Sequence, residues 1–408
     1  MVLHRVPLEQ AQLLALTSQG LLQPGFGTGK KAVLAAIERL GYVQIDTLSV
    51  VARAHHHTLW SRLPDYKEII LNELLEKDKS IFEYWSHAAS YLPMSDYRFS
   101  LPRKKSYADG KSHWFGQDKK MNKYVLDRIK EEGPLQSKDF EHKREGPGNW
   151  YEWKPAKRAL EQLFMEGKLM VAKRKGFHKV YDLTAHVLPK NIDISYPSEK
   201  EYAEHLIIKA VQAHGIIREN EIAYLRSGLK TPVNTALKRL LKNGAFIEVK
   251  IDGMENDTFI TTTHCLKSFV YDISDAAKNI NNNTVHFLSP FDNAIIQRKR
   301  IQTLFGFEYN IECYLPEAKR SFGYFSLPVL YRGNFIGRFD PKADRNAKIF
   351  YIKILHFEKN FKPDDAFNIL FVAKLKEFAL FNGCIKIVID KAEKIWKKEV
   401  LRIINNGA

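Results

Sequence analysis

Two stretches of this chain repeat one order of elements, and that repetition restricts the fold more than any single motif does. From Met121 a helical pattern runs to about Glu132, Gly133-Pro134 breaks it, and a second helix follows Pro155. Ala159, Leu160, Leu163 and Phe164 fall on one side of that second helix. Two strand-like runs come next, 167–172 and 180–183, around the turn Lys173-Arg174-Lys175-Gly176-Phe177-His178-Lys179. After Pro197 the order returns. Tyr202 to Ala213, Arg218 to Leu225 and Thr231 to Asn243 read as helices, and 245–249 with 258–261 reads as another hairpin.

Helix, recognition helix and hairpin, in that order, describe a winged helix. The start of the chain offers a third instance. Leu8 to Leu16 and Gly29 to Leu40 read as short helices, and Val43-Gln44-Ile45-Asp46 reads as a strand. Beyond the polar stretch Asn279 to Asn283, four strand-like runs begin at Val285, Phe325, Asn334 and Ile349, followed by helix, strand and helix. The expected class is α+β, with tandem winged-helix modules at 1–100, 101–195 and 196–278 and a C-terminal α+β domain at 284–408.

Charge narrows the partner. The chain holds 63 Lys and Arg against 47 Asp and Glu, a formal +16, and 21 against 11 fall between Arg98 and Lys179. Such a concentration suits an anionic polymer. The basic hairpin tip (Lys173, Arg174, Lys175, Lys179) reads as a phosphate-contacting wing. The stretch opening with Arg103-Lys104-Lys105, with Tyr107, His113, Trp114 and Phe115 interleaved, reads either as a strand-tracking loop or as a solvated linker. No run of 18 apolar residues and no signal-peptide pattern occurs, which argues against membrane insertion and secretion. Cys265, Cys313 and Cys384 are too few and too scattered for a disulfide framework or a cysteine zinc site, and a reducing cytoplasm is the simplest setting.

The chemistry-bearing stretch is Leu40 to Pro64. Alternation in VQID puts Val43 and Ile45 on one side and Gln44 and Asp46 on the other. An amide and a carboxylate would then project together from a strand with a packed back. Two readings fit: Asp46 caps the helix expected over Ser49 to Leu63, or the pair does chemistry. His55, His56 and His57 lie about 100° apart on a helix and do not converge on one metal. The glycines of QPGFGTGK imitate a nucleotide loop, but Pro24 and Lys31 stand where a Walker sequence needs Gly and Ser or Thr.

Gln44-Ile45-Asp46-Thr47, Arg53-Ala54-His55-His56 and Trp60-Ser61-Arg62-Leu63 together resemble the signature of the winged-helix DNA glycosylases of the YcaQ/AlkZ type, the interstrand-crosslink repair glycosylases. The likeness returns in Leu288-Ser289-Pro290-Phe291-Asp292-Asn293, Phe305-Gly306-Phe307 and Leu327-Pro328-Val329-Leu330. It implies Asp46 and Gln44 as the catalytic pair, acting on double-stranded DNA with alkylated bases, chiefly N7-alkylguanine. Asp46 stands where part of the family has a second glutamine, which suggests the less specialised branch. The resemblance carries no cofactor and no metal. Arg53, His55, His56 and Arg62 join Arg103, Lys104, Lys105, Lys173, Arg174, Lys175 and Lys179 as expected DNA contacts, in a monomer associated with the nucleoid. The competing reading is a winged-helix regulator without enzymatic activity. Asp292 is expected to cap a helix or to take part in catalysis.

Overall fold

The computed structural model describes residues 4–22, 25–110, 116, 118–140, 155–267 and 284–406. His113, Trp114, Phe115 and the stretch Asn279 to Asn283 lie outside the described residues. The architecture is α+β: among the described residues there are three small three-stranded sheets with their helices, and one five-stranded sheet. Among the described residues no helix is long and apolar enough to cross a membrane.

The first sheet joins β2 (Val43–Gln44), β3 (Ile81–Trp85) and β4 (Ala89–Pro93) in the order β2-β4-β3. Helix α2 (Gly29–Leu40) feeds it. Its Val33, Ala36, Ile37 and Leu40 form a buried face, and Gly41 ends it in the left-handed conformation that glycine adopts without strain. The second sheet orders β5 (Leu135–Gln136), β7 (His178–Leu183) and β6 (Leu169–Lys175) beside helices α6 (Lys119–Glu132) and α7 (Pro155–Met165). The third pairs β8 (Ile247–Ile251) with β9 (Phe259–Thr261) beside α8 (Glu199–His214) and α9 (Lys230–Lys242).

The third sheet's remaining strand comes from the start of the chain. β1 (His4–Val6) pairs in parallel with β8, and Ala11, Leu14 and Ala15 of α1 (Leu8–Ser18) bury against Ile216, Val249 and Phe259. The first residues are therefore built into the unit that follows residue 196. Units one and two share a continuous apolar core with the C-terminal sheet. That sheet runs β10 (Val285–Phe287), β11 (Leu327–Tyr331), β12 (Asn334–Asp344), β13 (Ile349–Phe357), β14 (Lys386–Lys391), antiparallel except for its last pair. A helix at Asp365–Phe381 covers it through Phe371 and Phe378, which meet Phe287 edge-on with centroids at 5.2 and 5.8 Å.

Three local expectations change. The apolar spacing from Tyr66 to Trp85 reads as helical, but the chain breaks there: α4 (Glu68–Glu76) ends, Lys79 takes a positive φ of 49°, and Ile81–Trp85 is a strand. A short apolar run does not tell helix from buried strand by its period alone. The helix expected over Ser49 to Leu63 shrinks to α3 (Ala54–Trp60). The residues before it are drawn to the C-terminal domain, where Val50 O accepts from Ala343 N at 3.0 Å and Ala52 N donates to Asn382 at 2.6 Å. Arg103-Lys104-Lys105 lies in a helix, α5 (Leu101–Ala108), with proline in its first turn rather than in a loop.

Candidate active site around Gln44 and Asp46

Val43 and Gln44 pair with Tyr91 and Ser90 of β4, and Ile45 N extends the pairing to Ala89 O at 2.8 Å. Val43 and Ile45 are buried in the core, as the alternation requires. Gln44 is also buried, at 8% exposure, and its amide oxygen lies 3.1 Å from Nε2 of His87, in the turn joining β3 to β4. Burial, with a smaller push from Arg226, lowers the His87 pKa to about 4. The imidazole is therefore neutral at pH 7, and its single N–H sits on Nε2, donating to the amide. The Gln44 NH2 is turned the other way, and no other described group takes it.

Asp46 follows at the strand's end, half-buried. Its Oδ1 accepts from Leu48 N at 2.8 Å, which closes a local turn. The next helix starts only at Ala54, with Arg53 at its N-cap, so Asp46 caps a turn and not that helix. Burial raises the carboxyl pKa, against the lowering effect of the Leu48 and Thr47 amides. Across the rim, Cys313 and Tyr314 both feel the Asp46 charge, which adds to the upward effect of burial on their own pKa values.

The segment is braced by the second half of the chain. Asn293 donates to Tyr42 O at 3.1 Å and to Leu40 O at 3.4 Å, immediately before the strand. Asp292 receives both terminal nitrogens of Arg62, at 2.7 and 2.8 Å, with both side chains fully buried. Asp292 also accepts from Ala294 N at 2.8 Å. The Phe-Asp-Asn motif is thus a clamp between the C-terminal domain and the Gln44 module. Asp292 is not a helix cap, since the next helix begins only at Arg298 with Gln297 as its N-cap.

Several expected DNA contacts are corrected by burial. Arg62 is spent in that clamp, with Gln19 and Thr58 taking its remaining donors. His55 is 3% exposed between His56, Tyr91 and Phe177, and burial drives its pKa far below the usual imidazole value. His56 bonds Tyr66 at 2.7 Å and faces Glu68 at 3.4 Å, with its pKa pushed by burial to about 3. Lys104 turns inward from α5, its ammonium 3.7 Å from the centre of the Tyr97 ring, and burial lowers its pKa to about 7. Arg174 holds Glu83 through two nitrogens, at 2.5 and 2.7 Å. These five side chains are buried or engaged within the protein.

Strand alternation explains the hairpin. Arg174 points in, so its neighbours Lys173 and Lys175 point out. Lys173 lies 3.5 Å from Glu76 and Lys179 3.1 Å from Glu161, whereas exposed Lys175 has no carboxylate partner among the described residues. Lys105 is exposed and pairs with Asp109 at 2.7 Å. Arg53 stacks 4.2 Å from the centre of the Phe177 ring, and Arg174 stacks on the same ring at 4.7 Å. The hairpin tip therefore rests on the entry to α3.

Arg103 lines a cavity of about 390 Å³ together with Trp85, His87, Tyr202, Lys209 and Arg226. Arg226 donates to Ser86 Oγ at 2.8 Å, and neither it nor Arg103 meets a carboxylate among the described residues. Neither Gln44 nor Asp46 lines this recess, which lies on the far side of His87. It is a basic annex to the site. Sequence reasoning missed His87, Arg226 and Asn293 as site residues. Only Asn293 carried a signal, through its motif. Among the described residues, no three His, Cys, Asp or Glu side chains gather to hold a metal ion.

A sequence model of the AlkZ-like DNA glycosylases matches residues 37–364, which takes in the Gln44 strand and the Asp292 clamp alike. The solved structure of Streptomyces sahachiroi DNA glycosylase AlkZ is similar in fold, with a TM-score of 0.62 at 13% identity, over 95% of this chain and 100% of that one. With the family match spanning most of its length, the chain belongs to the AlkZ-like DNA glycosylase family.

Proposed function

We propose that this DNA glycosylase hydrolyses the N-glycosidic bond of alkylated purines in duplex DNA, chiefly N7-alkylguanine and including interstrand crosslinks, without a lyase step. The observation that carries the reading is a fixed amide two residues before a half-buried carboxylate. Neutral His87 holds the Gln44 oxygen, and Asp46 follows two residues later, just past the strand's end. As the bond breaks, C1′ of the sugar gains positive charge. The Asp46 carboxylate stabilises that charge and orients or deprotonates water. The Gln44 NH2 holds the departing base or the same water by donating a hydrogen bond.

N7-alkylguanine is cationic before it departs, so it is a good leaving group and one carboxylate suffices, unlike the acid and base pair of glycoside hydrolysis. No lysine occurs between Lys31 and Lys67, so no amine near the pair in sequence supports a Schiff base. Three winged-helix-like units support duplex binding, with Lys175, Arg103 and Arg226 as the backbone contacts. The test is single-turnover release of N7-methylguanine from duplex DNA. Free base and an intact abasic strand are expected; binding without release would leave a DNA-binding protein with a different substrate.

A further inference from the structure

The loop between Phe307 and Phe325 is not used by the chemistry above, yet it carries the most exposed aromatic side chain near Asp46. Tyr314 is 75% exposed, with Leu315 at 41% and Tyr324 at 36% beside it. Such exposure of neighbouring apolar side chains is unexplained by packing. The loop is also built to be stiff. Glu312 accepts from the backbone N–H groups of Ser321 at 3.1 Å and Phe322 at 2.7 Å. Asp340 accepts from those of Tyr324 at 2.9 Å and Phe325 at 2.7 Å.

Gly323 sits where a Cβ would come within 2.5 Å of the Asp340 carboxylate, and at a φ of 107°. Only glycine allows that approach. Arg320 closes the structure, donating to Leu315 O at 2.9 Å while its guanidinium lies 4.9 Å from the centre of the Tyr324 ring.

Position ties this knuckle to the reaction. The turn that Asp46 caps continues into Ser49 and Val50, and these share a second cavity, about 390 Å³, with Tyr324 and Asp340. Val50 is pinned to the same sheet at Ala343. Lys319 is exposed in the same loop. An exposed aromatic ring on a rigid support, with cations alongside, is the arrangement that takes a nucleobase by stacking while phosphates are held nearby.

We infer that Tyr314 is the platform on which a nucleobase at or next to the lesion stacks when DNA is bound at Asp46. The inference rests on the glycosylase reading for the identity of the nucleic acid and adds a positioning residue to it. Rigidity supports the role, because a preformed loop loses little conformational freedom on binding.

The test uses the full-length protein and duplex DNA carrying 5-iodouracil beside an N7-methylguanine or beside an unmodified guanine. On irradiation the iodinated base crosslinks to the ring it stacks on, with no need for excision. The expected product is a crosslinked peptide containing Tyr314. Y314A should lose that crosslink and raise the half-saturating enzyme concentration about 5- to 150-fold, the range spanned by base–aromatic stacking. Y314F, which keeps the ring, should stay close to wild type in both. Because Tyr314 is exposed, an unchanged melting temperature is expected for either variant. A crosslink at another module, or Y314A binding and excising as wild type does, overturns the proposal. Failure of wild type to release N7-methylguanine would instead strike the substrate assignment, since the crosslink reads stacking alone.

Discussion

Replacing Asp46 by asparagine separates chemistry from architecture more cleanly than any other change. The Asp46 Oδ1 accepts from Leu48 N, and the asparagine oxygen can accept from the same amide, so the local turn should survive. What disappears is the charge. A carboxylate about 4 Å from a unit positive charge contributes about 4 kcal/mol at an effective dielectric near 20. With the charge at C1′ only partly developed and the rim open to water, about 3 kcal/mol is the expected loss, or roughly a hundredfold in the excision step.

Stability should move the other way. Burial raises the folded-state pKa of Asp46 above its ordinary 3.8, so the folded protein binds this proton more tightly than the unfolded chain does. The associated stability is present below the ordinary value and is lost as pH rises through the raised one. D46N removes that ionisation and should match or exceed wild type in melting temperature at neutral pH. Excision by wild type should fall as pH drops through the raised pKa, after subtraction of spontaneous depurination, and D46N should lack that limb. The assay is single-turnover base release, run beside thermal unfolding, with enzyme above half-saturation. A stably folded D46N that excises at the wild-type rate would remove Asp46 from the reaction. A slow D46N whose loss follows a lowered melting temperature would return it to a purely structural role.

H87F should leave duplex binding near wild type but slow excision about tenfold, the share of one hydrogen bond orienting Gln44; an unchanged rate would show that the amide needs no such support. D292A strands Arg62 in the core and should lower stability by roughly 3–5 kcal/mol, read by denaturant unfolding, and a small change would contradict the clamp. K175A should make the slope of log binding constant against log salt shallower by about one, whereas R174A should reduce stability by breaking its pair with Glu83; an identical effect of both on the slope would refute the inward placement of Arg174. Wild-type stability should rise from about pH 7 towards pH 10, because burial lowers the Lys104 pKa to about 7 and the unfolded chain binds that proton more tightly over this range. K104M should abolish that rise, measured by unfolding across the range, with DNA affinity unchanged.

The sequence by itself determined the local periodicities and singled out Gln44 and Asp46 as the candidate pair. Alternation at Val43 and Ile45 was sufficient to assign their packed side, and Gly41 marked the end of α2, because both are properties of a few adjacent residues. The repeated helix and hairpin order likewise made an α+β fold legible, and widely separated motifs carried the family. Tertiary structure alone decided which polar groups are free. Lys104, Lys105, Arg174 and Lys175 are equally basic in a string of letters. Only a helix facing Tyr97 and a strand facing Glu83 distinguish the buried cations from the exposed ones.

The same holds for His87, which meets Gln44 from 43 residues away, and for Asp292, which meets Arg62 from 230 residues away. Neither contact leaves a mark on local pattern. A charged group's role depends on whether its desolvation is compensated by a partner, and partners are brought together by chain topology rather than by sequence neighbours. Asp46 shows the limit most clearly. Sequence left it between helix cap and catalyst, and it was the displacement of α3 to Ala54, imposed by bonds to the C-terminal domain, that freed its carboxylate from capping that helix.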